Sequence, residues 1–159
     1  MTYICDNFFA NPNNIRRKGL IRKYFKQEDH PHSSGFPGVR TRGLCDIDET
    51  LFNKITLKAG RILGYKGIRV CSALAYSITN KDTPLSLHRD EEWDIGGVIY
   101  LNPNIPPDCG TIVAGQLVPA KYNRLVLYDG SLIHSPAKSF GTNRFNSRMV
   151  LTLFFKKLE

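Results

Sequence analysis

The stretch LSLHRDEEWDIGGVIYLN, residues 85–102, changes character halfway along. Its first half is polar and sets His88 and Asp90 one residue apart. Its second half, GGVIYLN, is a short apolar run of the kind that forms a buried strand. Side chains at i and i+2 on a strand edge point the same way, so an imidazole and a carboxylate in this spacing can reach one metal ion. The tripeptide alone is common by chance. Its meaning depends on a third ligand and on the scaffold around it.

Outward from this stretch the pattern keeps a period near two. IRVCSALAYSI, GTIVAGQLV, NRLVLYDGSLIHS and SRMVLTLFFKK are rich in strand formers and are separated by turn residues rather than helices. Short, closely spaced strands of this kind build sandwiches or barrels. The first 66 residues read differently. Asn11 before Pro12 is a helix start, with the helix expected through about Phe25. Residues 28–43, with two prolines and three glycines, are expected to be a loop. Asp46 and Glu49 have capping-box spacing ahead of the stripe Leu51, Phe52, Ile55, Ala59, Ile62 and Leu63, and Gly64 is the stop. The expectation is an α+β fold. A jelly-roll or cupin-like core of about eight antiparallel strands carries N-terminal helices packed on one sheet. One domain spans 1–159, with a helical part at 1–66 and the jelly-roll core at 67–156.

Composition excludes other classes. Hydrophobic residues make up 42% and charged residues 23%, as in globular chains, and no apolar run reaches membrane-spanning length. The opening MTYICDNFFANPNN lacks the basic and apolar regions of a secretory leader, so a cytoplasmic location is expected. Cys5, Cys45, Cys71 and Cys109 are far apart and form no C-x-x-C, which argues for free thiols. The net charge is +8, and six of the basic residues fall between Arg16 and Lys26. Such a segment is either a solvated helix face or a surface for nucleic acid or an acidic partner. His30 and His32 sit in the expected loop, where solvent exposure is the simplest reading.

His134 supplies the missing ligand, 44 residues after Asp90 and just beyond the turn at Gly130. Two imidazoles and one carboxylate on one face of an octahedron leave three positions open, which suits non-haem Fe(II) chemistry with oxygen. A closed four-ligand zinc site would leave nothing to react. Fourteen residues after His134, Arg148 opens the final strand. By alternation it shares a face with Val150, Thr152 and Phe154, and pointing inward it would need an anion. The opposite face, Met149, Leu151 and Leu153, is just as apolar, and periodicity does not choose between them.

With these residues in place, the chain resembles the Fe(II)- and 2-oxoglutarate-dependent dioxygenases, whose core is a double-stranded β-helix. The likeness covers roughly residues 67–156 and is greatest to the prolyl-hydroxylase-like branch. The blocks HRDEEWDIGGVIYLN, CGT and HSPAKSFGTNRFNSRMVLTLFF are similar to hydroxylase-like proteins of tailed phages of cyanobacteria, for which the location would be the host cytoplasm. The resemblance implies iron ligands at His88, Asp90 and His134, and Arg148 as the anchor for the distal carboxylate of 2-oxoglutarate. It further implies Thr152, Tyr100 and Tyr76 as lining of the co-substrate pocket, with Arg144 as a second choice of anchor. Cys109-Gly110-Thr111 stands where the family has Gly-Gly-Thr. The implied reactants are Fe(II), 2-oxoglutarate and O2, with ascorbate as a stimulant, and the implied reaction is hydroxylation of an unidentified peptide, metabolite or nucleic acid. Two rival readings stay open: a cupin-like metal-dependent jelly roll, and a non-enzymatic module that binds nucleic acid through its basic segment.

Overall fold

The last strand organises the molecule. In the computed structural model, which describes residues 1–32 and 35–158, Arg148–Lys157 (β10) pairs along its whole length with Val70–Thr79 (β4), from Arg148 opposite Thr79 to Lys157 opposite Val70. Its other edge pairs with Ile95–Tyr100 (β5), which continues to Leu125–Asp129 (β8) and then to Thr2–Cys5 (β1). Beyond β4 lie Val39–Thr41 (β3) and Tyr24–Lys26 (β2), completing an antiparallel sheet of seven strands. A second sheet, of Thr111–Val113 (β6), Gln116–Val118 (β7) and His134–Pro136 (β9), faces it.

Pleating gives each strand two jobs. Met149, Leu151, Leu153 and Phe155 of β10 join Tyr76, Ile99 and Leu125 on the face covered by helices Pro12–Leu20 (α1), Leu44–Ile47 (α2) and Glu49–Ile62 (α3). Ile15, Leu44, Leu51, Ile55 and Ala59 fill that core from the helix side. Val150, Val98, Tyr100, Val126 and Tyr128 point the other way, against Val113, Val118 and Cys109 beside the small sheet. The fold is thus mostly antiparallel sheet in a jelly-roll-like arrangement, with the helices on one side of the large sheet. Among the described residues, no helix is long and apolar enough to cross a membrane.

Four local expectations are corrected. The first helix ends at Leu20, not near Phe25, because Tyr24–Lys26 finds a backbone partner in β3. The 28–43 segment is accordingly not all loop, since β3 lies within it. The cap of the long helix is Asp48, whose carboxylate accepts from the Leu51 N–H at 3.2 Å; Asp46 lies inside the short helix before it. His30 does not stand in solvent: its Nε2 is 2.8 Å from the Thr41 carbonyl oxygen and its ring sits edge-on between Phe25 and Phe36. The stop at Gly64 (φ +74°) is as expected, and the thiols are free. Part of the basic segment is structural, for Arg16 donates to the carbonyls of Leu101 and Phe145, and Lys18 and Arg22 lie by Asp48.

Candidate metal centre

Two backbone hydrogen bonds bring the candidate ligands together. The His88 N–H donates to the His134 carbonyl at 3.0 Å, and the His134 N–H returns the bond to His88 at 2.9 Å, so residue 88 extends the small sheet past β9. Asp90 is placed by its own N–H, which donates to the Gly130 carbonyl at 2.8 Å. Gly130 in turn donates to Asp94, clipping the loop after Asp90 onto the β8–β9 turn. The ligand atoms of His88, Asp90 and His134 all lie within 4.8 Å of one another.

The two imidazoles are oriented from behind. His134 Nδ1 is 2.7 Å from the Leu132 carbonyl and His88 Nδ1 is 3.0 Å from that of Ser86. A carbonyl only accepts, so Nδ1 carries a proton in each ring and, in the neutral tautomer that binds a metal, the Nε2 lone pair faces Asp90. His134 Nε2 is 3.0 Å from Asp90 Oδ2, and His88 Nε2 is 3.6 Å from Oδ1. Asp90 Oδ2 is sealed from solvent and has no hydrogen-bond donor. Two lone pairs facing each other at this distance repel unless a cation lies between them. A separation of roughly 3 Å is the edge of an octahedron with metal–ligand bonds of about 2.1 Å. The donor set therefore fits a divalent ion. His134 is 3% exposed at its side chain and His88 45%, so the triad runs from the barrel interior to its rim.

Glycine makes room for the carboxylate. A Cβ on Gly96 would lie 2.6 Å from Asp90 Oδ2 and 2.8 Å from the Tyr128 ring. The Tyr128 ring, 4.4 Å from that of His134, forms the wall between the triad and the interior. Burial pushes its phenol far above the usual tyrosine range, so it stays neutral. Tyr128 carries no motif in the sequence, although alternation along LVLYD puts it on the face of Val126.

Deeper in, Arg148 is 2% exposed and faces the barrel interior, the side that periodicity left open. Its Nε donates to the Cys109 carbonyl at 3.0 Å and an Nη to Gly110 at 3.4 Å, while the guanidinium lies 5.5 Å over the Tyr100 ring. Among the described residues no carboxylate comes within ion-pair distance of it. Burial pulls its pKa below the ordinary arginine value, with nearby tyrosine and cysteine side chains only partly opposing. The buried Tyr100 and Thr111 hydroxyls are 2.6 Å apart beside it. Gly110 is required there, since a Cβ would come within 2.0 Å of the Val118 carbonyl oxygen.

Three expected site residues lie elsewhere. Tyr76 is on the helix face of β4, with its hydroxyl donating to the Ile15 carbonyl at 2.8 Å and its ring against Gly19. Thr152 shares the Arg148 face, but four residues of strand put it about 13 Å further along. Its hydroxyl donates to the Ala75 carbonyl. Arg144 is bound to the Leu20 and Arg22 carbonyls at the end of α1 and stacks over Tyr24, away from the barrel. Trp93 packs on Phe154, ring centroids 5.6 Å apart.

The fold is shared with solved oxygenase structures. An oxidoreductase of the 2OG-Fe(II) oxygenase family from Burkholderia pseudomallei matches with a TM-score of 0.70 and 15% identity, over 98% of this chain and 84% of that one. HygX from Streptomyces hygroscopicus, solved with nickel and 2-oxoglutarate bound, matches with a TM-score of 0.71 and 12% identity over 97% and 82%. A Pseudomonas putida prolyl-4-hydroxylase matches with a TM-score of 0.63 and 14% identity over 99% and 93%. No family model matches the chain, and a search of curated proteins finds no match. At such identities the likeness is one of fold.

Proposed function

We propose that this chain is an Fe(II)- and 2-oxoglutarate-dependent oxygenase, a hydroxylase of the prolyl-hydroxylase-like branch, with residues 1–159 as one oxygenase domain. In this reading the two sheets form its double-stranded β-helix. The observation that carries it is Asp90 Oδ2, sealed, without a donor and 3.0 Å from His134 Nε2, in a barrel that also holds a buried arginine without a counter-ion. Iron(II) bound there with 2-oxoglutarate would supply the oxidation of a C–H bond by O2, with succinate and carbon dioxide released.

The protein's part is binding, orientation and exclusion of water. His88, Asp90 and His134 would hold the metal, a ligand set that suits oxygen chemistry with a bound co-substrate. Arg148 holds the distal carboxylate of 2-oxoglutarate with its free guanidinium edge, and the Tyr100–Thr111 hydroxyl pair borders the same pocket. Val98, Val126 and Val150 keep the space between them apolar, which strengthens each charge interaction there. Candidate substrates include peptidyl proline and small metabolites.

The test is O2-dependent conversion of 2-oxoglutarate to succinate with Fe(II) and ascorbate, comparing wild type with His134→Ala, together with anaerobic titration of Fe(II) plus 2-oxoglutarate for its charge-transfer band. The expected result is a band and slow turnover in the wild type, both absent from the variant. Wild-type protein that binds neither metal nor co-substrate overturns the proposal.

A further inference from the structure

A second arginine enters the barrel, and among the described residues nothing accepts from its Nε. Arg40 lies on β3 opposite Ser77 of β4, which is opposite Val150 of β10, itself opposite Tyr100 of β5. Residues opposite one another in an antiparallel sheet share a face, so Arg40 rises on the barrel side with Val150 and Tyr100. Its guanidinium carbon lies over the Phe36 ring, 4.6 Å from the centroid, and the group feels the Asp90 carboxylate and the Tyr128 phenol. Both belong to the metal-centre wall.

What distinguishes Arg40 from the other inward arginine is its lack of partners. Arg148 places two of its donors, Nε and one Nη, on the Cys109 and Gly110 carbonyls. Arg40 Nε is sealed from solvent with no acceptor, and among the described residues no carboxylate lies within ion-pair distance of the group. The contact with the Phe36 ring does not satisfy an N–H. Burial draws its pKa down to about 10, which leaves it charged at neutral pH. Such a group is costly unless an acceptor arrives.

The charges of the filled site point the same way. A divalent ion, the Asp90 carboxylate, a dicarboxylate co-substrate and Arg148 cancel one another. The charge of Arg40 is left over. We propose that Arg40 is a substrate-binding residue, whose exposed guanidinium edge receives an oxyanion, a carboxylate or phosphate group, of the primary substrate beside the metal centre. This rests on the oxygenase reading above. Phe36 packs against the guanidinium, and the Nη edge, which unlike Nε is not sealed, donates to the oxyanion.

The experiment follows the side-chain Nε–H resonances of 15N-labelled full-length protein, metal-free and loaded with Zn(II) and 2-oxoglutarate. Sodium acetate or sodium phosphate is titrated in at constant ionic strength against sodium chloride. The resonance missing from Arg40→Lys is that of Arg40. It is expected to shift saturably with acetate or phosphate in the loaded protein, and the effective anion marks the substrate as carboxylate- or phosphate-bearing. Arg40→Lys should weaken the binding about tenfold, read from the backbone amides of Val39 and Thr41. An Arg40 resonance that follows chloride equally, or that stays still while Arg148 responds, overturns the proposal. The oxygenase reading fails separately, if Zn(II) and 2-oxoglutarate leave the His88, His134 and Arg148 signals of the wild type unmoved.

Discussion

The two faces of β10 are made by one ten-residue strand and do opposite work. On the helix side, Met149, Leu151, Leu153 and Phe155 are fully buried in an apolar cluster with the helices. On the barrel side the same strand presents Arg148, Val150, Thr152 and Phe154, and the residues opposite them include Thr79, Ser77 and Tyr100. One face spends its burial on stability; the other holds polar groups that stability alone would not retain. Function in this protein should therefore be sensitive on one parity of the strand and indifferent on the other.

Leu151→Ala should separate them most sharply. A fully buried leucine truncated in a close-packed core loses about 2–5 kcal/mol, seen as a lower denaturant midpoint, with co-substrate affinity unchanged in the protein that remains folded. If 2-oxoglutarate binding weakened instead, the two faces would not be independent. Arg148→Met is the converse. It removes a hydrogen-bonded charge from the proposed co-substrate pocket, worth about 1.5–3 kcal/mol, so 2-oxoglutarate affinity should fall roughly 10- to 100-fold. Thermal stability should hold or rise, because a buried cation without a counter-ion is removed.

Gly96→Ala tests the space around the carboxylate. The added methyl meets Asp90 Oδ2 and the Tyr128 ring, and overpacking of about 1–3 kcal/mol should appear as weaker metal binding in an Fe(II) or Zn(II) titration. The smallest effect is expected from Tyr76→Phe. It deletes only the hydrogen bond to the Ile15 carbonyl, about 0.5–1.5 kcal/mol of stability, and leaves the 2-oxoglutarate requirement as it was. A changed requirement would return Tyr76 to the co-substrate pocket.

Much of the site was legible because its markers are local. His88 and Asp90 are two residues apart, His134 borders a strand, and the strands themselves announce their period. The pocket residues were less legible. Tyr76 and Tyr100 look alike as strand tyrosines, yet they point to opposite faces, since Tyr76 is opposite Leu151 and Tyr100 is opposite Val150. A shift of one residue in register exchanges every side chain between core and barrel. Arg40 left no signal, because its strand has three residues and lies in a segment that composition marks as loop.

The amino-acid sequence by itself determined the antiparallel core, the helices ahead of it and the three candidate ligands, for each depends on residue type and short-range spacing. Tertiary structure alone decided that Arg148 faces the barrel, that Tyr76 and Arg144 do not, and that Phe8 and Asn123 meet across the fold. Those outcomes depend on which strand pairs with which and in what register. That pairing is set by contacts between residues far apart in the chain, where local periodicity carries no information.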